Sequence, residues 1–368
     1  MFDDIRPYRD DEVNQILKKL INEKELQVSI AQFSMPLFRK VFPSIANLLV
    51  KWSLKYRLKN IHTIDDIQIE VAKYISKIIK KSTHGFTYDG LDQFDHSKPC
   101  LFISNHRDIV LDAALVNYAL HENNIDTVEA AVGDNLLHKD WVSDLMRINK
   151  SFIVKRSEKT KRAMLTASKQ LSAYIHHSLN VKKQNIWIAQ KEGRAKDGID
   201  KTNAALISML LLNKDKETPI AHYLSELNII PVAISYEFDP CDLDKAKELA
   251  EIQMTGSYQK HENEDLKSIT QGMLGQKGKV HVSFCQPIQG EFEDSKGIAK
   301  AIDEQIISHY KLYNSNINAF QQLNDDNNTA SSNTAFLSRM QHLTKEQQHW
   351  LLTMYANPVF SKKSLENN

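Results

Sequence analysis

From Phe86 to about Tyr313, short apolar runs alternate with longer stretches of helical spacing. No other feature limits the fold as strongly. Runs at 100–103, 128–132, 152–154, 186–189, 229–235 and 280–284 have the length and continuous apolar character of buried strands. Apolar residues at helical intervals predict helices over 111–120, 161–180, 202–212 and 296–312. Strands and helices in alternation predict a layered α/β domain over 86–313.

The flanks have a different texture. Residues 1–85 read as helices, with Val13, Ile16, Leu17 and Leu20 on one stripe and Ile67, Val71, Ile75 and Ile78 on another. Between them Pro43 opens a third helix with Ile45, Leu48, Leu49 and Trp52, whose far end carries Lys51, Lys55, Arg57 and Lys59. Residues 314–334, rich in Asn, Asp, Ser and Gln, are expected as a flexible linker. A helical appendage is expected over 335–368, its helix at 336–355.

Lys and Arg number 47 against 46 Asp and Glu, so the net charge is +1. That balance gives no global case for binding nucleic acid, and any anion site must be local. Cys100, Cys241 and Cys285 are widely spaced, which argues against a disulfide framework or a zinc site and for a reducing cytoplasm. No run of about 18 apolar residues is present, and 1–11 lacks the basic and apolar regions of a signal peptide. If the protein meets lipid, it is therefore expected to do so from the side, at the inner face of a membrane. Residues 36–60 are the candidate surface, and the competing reading is that their apolar side packs on the α/β domain.

Four segments at the ends of expected strands carry possible chemistry. The first, Ser104-Asn105-His106-Arg107-Asp108-Ile109-Val110-Leu111-Asp112, joins a strand to a helix. A histidine there beside carboxylates suits a general base oriented by an acid, and a capped helix start is the plainer alternative. Its His-Arg-Asp also opens the protein-kinase catalytic loop, but the asparagine that loop requires is Ala113 here. The second segment ends Phe152-Ile153-Val154-Lys155-Arg156, a pair of cations able to grip a phosphate. The third is Glu192-Gly193-Arg194, where Gly193 permits a tight turn or a close backbone approach. The last two also fit ordinary charged surface. The fourth, Ile229 to Tyr236 with Pro231 near its start, reads mostly as core strand.

Taken in order, these segments resemble the four blocks of the glycerol-3-phosphate and lysophosphatidate acyltransferase family, over roughly 86–288. That family has an Asn-His-x4-Asp block, a Phe-Ile-x-Arg-like block, a Glu-Gly-x-Arg-like block and a proline after hydrophobic residues. Two departures mark a divergent branch. The family's aspartate stands five residues after its histidine, a place held here by Leu111, while Asp112 comes six after and Asp108 two after. The third block also lacks the residue between Gly193 and Arg194.

The resemblance implies a central mixed sheet flanked by helices, with helical additions at both ends. It implies that His106 takes the proton of an acceptor hydroxyl, with Asp112, or its rival Asp108, as the orienting acid. Lys155, Arg156, Glu192, Gly193 and Arg194 are then expected to bind a phosphorylated acceptor such as glycerol 3-phosphate or lysophosphatidate. No metal and no cofactor are expected, only acyl-CoA or acyl-carrier protein as thioester co-substrate. The alternatives are another lysolipid acceptor and a non-catalytic lipid-binding scaffold that keeps the fold.

Overall fold

A computed structural model of the chain describes residues 2–261, 264–324 and 334–367. It opens with α1 (Asp10–Asn22), α2 (Lys24–Ser34), α3 (Pro36–Val41), α4 (Pro43–Arg57) and α5 (Ile64–Ser82). Pro36 and Pro43 begin α3 and α4, where a missing N–H forfeits no helical bond. Next come β1 (Gly85–Asp89), β2 (Leu101–Ser104), α6 (Leu111–Glu122), β3 (Glu129–Gly133), α7 (Asp140–Ile148) and β4 (Ser151–Val154). Then follow α8 (Lys161–Asn180), β5 (Ile186–Ala189), α9 (Ala204–Leu210), α10 (Ile220–Leu227) and β6 (Ile229–Tyr236). The chain closes with α11 (Asp242–Thr255), α12 (Glu264–Leu274), β7 (Lys279–Phe284), α13 (Ser295–His309), α14 (Asn314–Asn324), α15 (Thr334–Met340) and α16 (Lys345–Glu366).

The elements gather into two compact units, each discontinuous in sequence. The first takes Met1–Lys73 and Glu129–Gln170. Val13, Leu17, Leu20, Leu26, Ile61, Ile67 and Ile148 make its larger core. The α1 stripe lands in that core because its apolar residues recur at three- and four-residue intervals. Ala31, Ala46 and Val50 bury the contact of α2 with α4. In the same unit β3 and β4 pair in parallel.

The second unit takes Tyr74–Val128 and Leu171–Asn368. Its strands lie in the order β1-β7-β6-β2-β5. β2 pairs in parallel with both β5 and β6, and β6 pairs antiparallel with β7. The sheet is therefore mixed, as expected, and helices pack on it, α13 against β6 and α6 against β7. β2 and β6 are buried along their whole length, which explains why both read as continuous apolar runs rather than alternating ones. Because β2, β5 and β6 run in parallel, their C-terminal ends share one edge.

All six expected strands are present, and β1 is an addition. The expected linker is corrected over Asn314–Asn324, which forms α14. There Ser315 donates to the Glu237 carbonyl, Asn316 donates to the Tyr355 carbonyl, and Ala319 is buried. Polar side chains that satisfy buried carbonyls order this segment despite its composition. The linker's last residue, Thr334, begins α15, and 325–333 lie outside the described residues. The single helix expected at 336–355 is instead α15 and α16. Thr344 caps α16 in a reciprocal box with Gln347, and α16 continues through Pro358 to Glu366.

Candidate active site

The first segment leaves β2 at Ser104 and turns before α6 begins at Leu111. Asn105 holds the turn against β6: its Oδ1 accepts from Ile234 N at 2.8 Å and its Nδ2 donates to Ile234 O at 3.0 Å. His106 follows on the shared C-terminal edge, its side chain 14% exposed. The Asp112 carboxylate on the first turn of α6 is fully buried. Its Oδ2 lies 2.9 Å from His106 Nδ1 and accepts from the backbone N–H of Arg107 at 2.6 Å and of Asp108 at 2.9 Å. Its Oδ1 accepts from the Tyr236 hydroxyl at 2.8 Å. Such a carboxylate fixes the imidazole by one nitrogen and leaves Nε2 without a hydrogen-bond partner among the described residues.

Asp108 takes a different place. Its Oδ1 accepts from Val110 N at 3.0 Å and Leu111 N at 2.8 Å, so it caps the start of α6. Burial, and then the charge of Asp112, push its carboxyl pKa up. Of the two candidate acids, only Asp112 meets the histidine. The extra residue before it is absorbed by the loop that Asp108 caps.

The loop is braced by charges the sequence reading did not single out. Arg107 is buried and donates to Asp200 Oδ2 at 2.6 Å and to Gly198 O at 3.2 Å. Lys245 on α11, also buried, donates to the Arg107 carbonyl at 2.7 Å and to Asp239. Gly272 on α12 lies so close to Asp108 that a Cβ there would stand 2.1 Å from Asp108 Oδ2. These partners are far apart in sequence, and no spacing links them to the histidine.

The third segment touches the first. Ala195 N donates to His106 O at 2.7 Å, fixing the Glu192–Arg194 turn beside it. Gly193 has φ +74°, and no atom stands within 4 Å of where its Cβ would be. It is glycine for the left-handed turn and not for a close approach. Arg194 is half-buried and donates to Ser268 Oγ on α12 at 3.4 Å, while Glu192 is exposed. Trp187 stands edge-on to the His106 ring, centroids 6.1 Å apart.

Lys155 and Arg156 belong to the first unit and are described there. Lys155 Nζ donates to Asp4 Oδ2 at 2.5 Å and to Gln170 Oε1 at 3.3 Å, so this cation is engaged within the protein. Arg156 is exposed, and its backbone N–H donates to Asp134 Oδ1 at 3.0 Å. Cys100, Cys241 and Cys285 are buried free thiols.

A strand-end histidine, oriented by a buried carboxylate through one ring nitrogen, has the geometry of a general base. Residues 85–235 match the family model described as Acyltransferase. The match takes in the first three segments and the fourth as far as Ser235, so residues 85–235 are similar to an acyltransferase domain, and the protein is an acyltransferase enzyme. Among solved structures, the chain is similar to the 1-acyl-sn-glycerophosphate (LPA) acyltransferase PlsC from Thermotoga maritima, with 10% identity, a TM-score of 0.40, and 77% of this chain and 95% of that chain covered. No curated protein matches the chain.

Proposed function

We propose that the protein moves a fatty acyl group from a thioester donor, acyl-CoA or acyl-carrier protein, to a hydroxyl of a phosphorylated glycerolipid precursor in phospholipid synthesis. Glycerol 3-phosphate and lysophosphatidate are the acceptors that fit the resemblance. The observation that carries the reading is the contact of His106 Nδ1 with buried Asp112, which leaves Nε2 free to work.

In this reading Nε2 takes the acceptor's hydroxyl proton as that oxygen attacks the thioester carbonyl. Asp112 stabilises the imidazolium that forms. The tetrahedral intermediate collapses, the C–S bond breaks, and the thiolate leaves with the proton returned from His106. Atoms balance without a cofactor or an acyl-enzyme intermediate. Arg194, whose neighbour Ala195 bonds the His106 carbonyl, is a candidate for the acceptor's phosphate, and Glu192, Gly193, Lys155 and Arg156 keep that role by resemblance.

We further infer peripheral contact with the inner face of an anionic membrane through α3 and α4. Leu37, Val41, Leu48 and Trp52 are exposed there, Trp52 to 71%, alongside Lys51, Lys55 and Arg57. An apolar strip with flanking cations suits the bilayer interface. No helix among the described residues is long and apolar enough to cross a membrane.

The test of the reaction is incubation with labelled long-chain acyl-CoA and a panel of glycerol 3-phosphate, lysophosphatidate and uncharged lysolipids, with the product identified by mass. A labelled phosphatidate or lysophosphatidate supports the reading. Transfer to uncharged lysolipids alone favours the other-lysolipid alternative. Saturable lipid binding without turnover favours the scaffold.

A further inference from the structure

We infer that Tyr236 is a positioning residue for acyl transfer, fixing one oxygen of Asp112 so that the other stays on His106. The inference rests on the acyl-transfer reading above. Tyr236 is the last residue of β6, one position beyond the segment that matches the family model.

The two oxygens of Asp112 have separate duties. Oδ2 gathers His106 Nδ1, Arg107 N and Asp108 N. Among the described residues Oδ1 has one donor, the Tyr236 hydroxyl, at 2.8 Å. Turning the carboxylate partway about its Cβ–Cγ bond would draw Oδ2 off His106, and the Tyr236 bond at Oδ1 opposes that turn.

A phenylalanine would fill the same space, so packing alone does not call for the hydroxyl. Tyr236 is only 3% exposed, and a buried hydroxyl needs a partner. Asp108 and Asp239 also face it, and burial with these carboxylates raises its pKa well above the usual phenol value. The hydroxyl therefore stays protonated and acts as a donor. The cations nearby are engaged elsewhere: Arg107 with Asp200, Lys245 with Asp239 and the Arg107 carbonyl, and Lys277 with Ser82 and the Gly275 carbonyl.

Removing the hydroxyl has two consequences. The carboxylate loses its anchor, so His106 is less well oriented. Its charge is also less compensated, so it favours the imidazolium more strongly and the His106 titration moves to higher pH. A merely structural role would not move that titration.

The experiment uses full-length wild type, Tyr236→Phe and His106→Ala. The His106 ring is titrated by NMR, its signal assigned by its loss in His106→Ala. Turnover is followed as thiol release from long-chain acyl-CoA with lysophosphatidate, and folding by thermal unfolding. Tyr236→Phe is expected to raise the His106 titration by about half a pH unit. It is also expected to lower kcat by about tenfold or more with KM little changed. An unmoved or lowered titration overturns the inference whatever the activity, and so does a rate loss that only follows loss of folded protein. Activity retained in His106→Ala overturns the acyl-transfer mechanism instead, so the two failures are distinguishable.

Discussion

His106 Nδ1 stands 2.9 Å from Asp112 Oδ2 although six positions separate the two residues. The loop between them folds over the first turn of α6 and points two backbone N–H groups at the same oxygen. The acid partner is thus chosen by the loop's path, and Asp108, nearer in sequence, serves to hold that path.

The two carboxylates should respond differently to the same substitution. Asp112→Asn is expected to lower kcat by up to ~10⁴, the cost of losing the orienting acid in a Ser-His-Asp site. Asp108→Asn should cost far less, because asparagine also caps a helix. Purified variants assayed for acyl transfer check this, and equal losses would contradict the assignment.

Asp108 should also leave a mark on stability against pH. Its carboxyl pKa is raised in the folded protein by burial and by Asp112. The folded chain then holds the proton more tightly than the unfolded chain, so this group's contribution is greatest at low pH. It declines as pH rises from the ordinary carboxylate range through the folded value. Asp108→Asn removes the decline, so the variant should gain on wild type between about pH 4 and pH 8. Denaturant unfolding at the two pH values measures it, and a variant that loses ground as pH rises would have the wrong sign.

Gly272→Ala should disturb the site without touching it directly. The new methyl would fall 2.1 Å from Asp108 Oδ2 and 2.9 Å from its Cγ. Forcing that carboxylate aside costs about 1–3 kcal/mol and loosens the His106 loop. A lowered melting temperature with reduced kcat is expected. A variant of wild-type stability and rate would show that α12 does not confine Asp108.

Asp200→Ala leaves the Arg107 guanidinium buried without its carboxylate. Breaking such a pair from one side costs about 3–5 kcal/mol. Asn105, which donates to the same Asp200 oxygen at 3.2 Å, loses a partner as well. Equilibrium unfolding checks the magnitude, and a change within the scatter of surface substitutions would contradict it.

Membrane contact is testable at α4. Leu48→Glu with Trp52→Glu should weaken binding to anionic liposomes by at least ~tenfold, since each removes a large apolar side chain from the interface. Flotation at low and high salt measures it, and the binding should weaken as salt rises. Undiminished binding of the double variant would remove α4 from the contact.

Much of this was legible in the sequence. The six expected strands were readable as short apolar runs, most plainly where cover on both faces leaves the run unbroken, as in Leu101–Ser104 and Ile229–Tyr236. β1 was missed because Gly85–Asp89 alternates exposed and half-buried residues at the end of the strand order and resembles a loop. α14 was misread because Asn and Ser rich composition signals disorder only while such side chains face water, and Ser315 and Asn316 do not. His106 and its pairing with a nearby acid were legible from local order. The choice of Asp112, the bracing by Lys245 and Asp200, and the Tyr236 hydroxyl were not, since each depends on contacts between distant segments.

The central claim is that His106 acts as the base for acyl transfer. The most direct measurement compares wild type with His106→Ala in acyl-CoA-dependent formation of labelled phosphatidate from lysophosphatidate, both proteins shown to be folded by thermal unfolding. The account predicts turnover by wild type and a loss of at least ~10³ in the variant. A folded His106→Ala protein that turns over at the wild-type rate would contradict it.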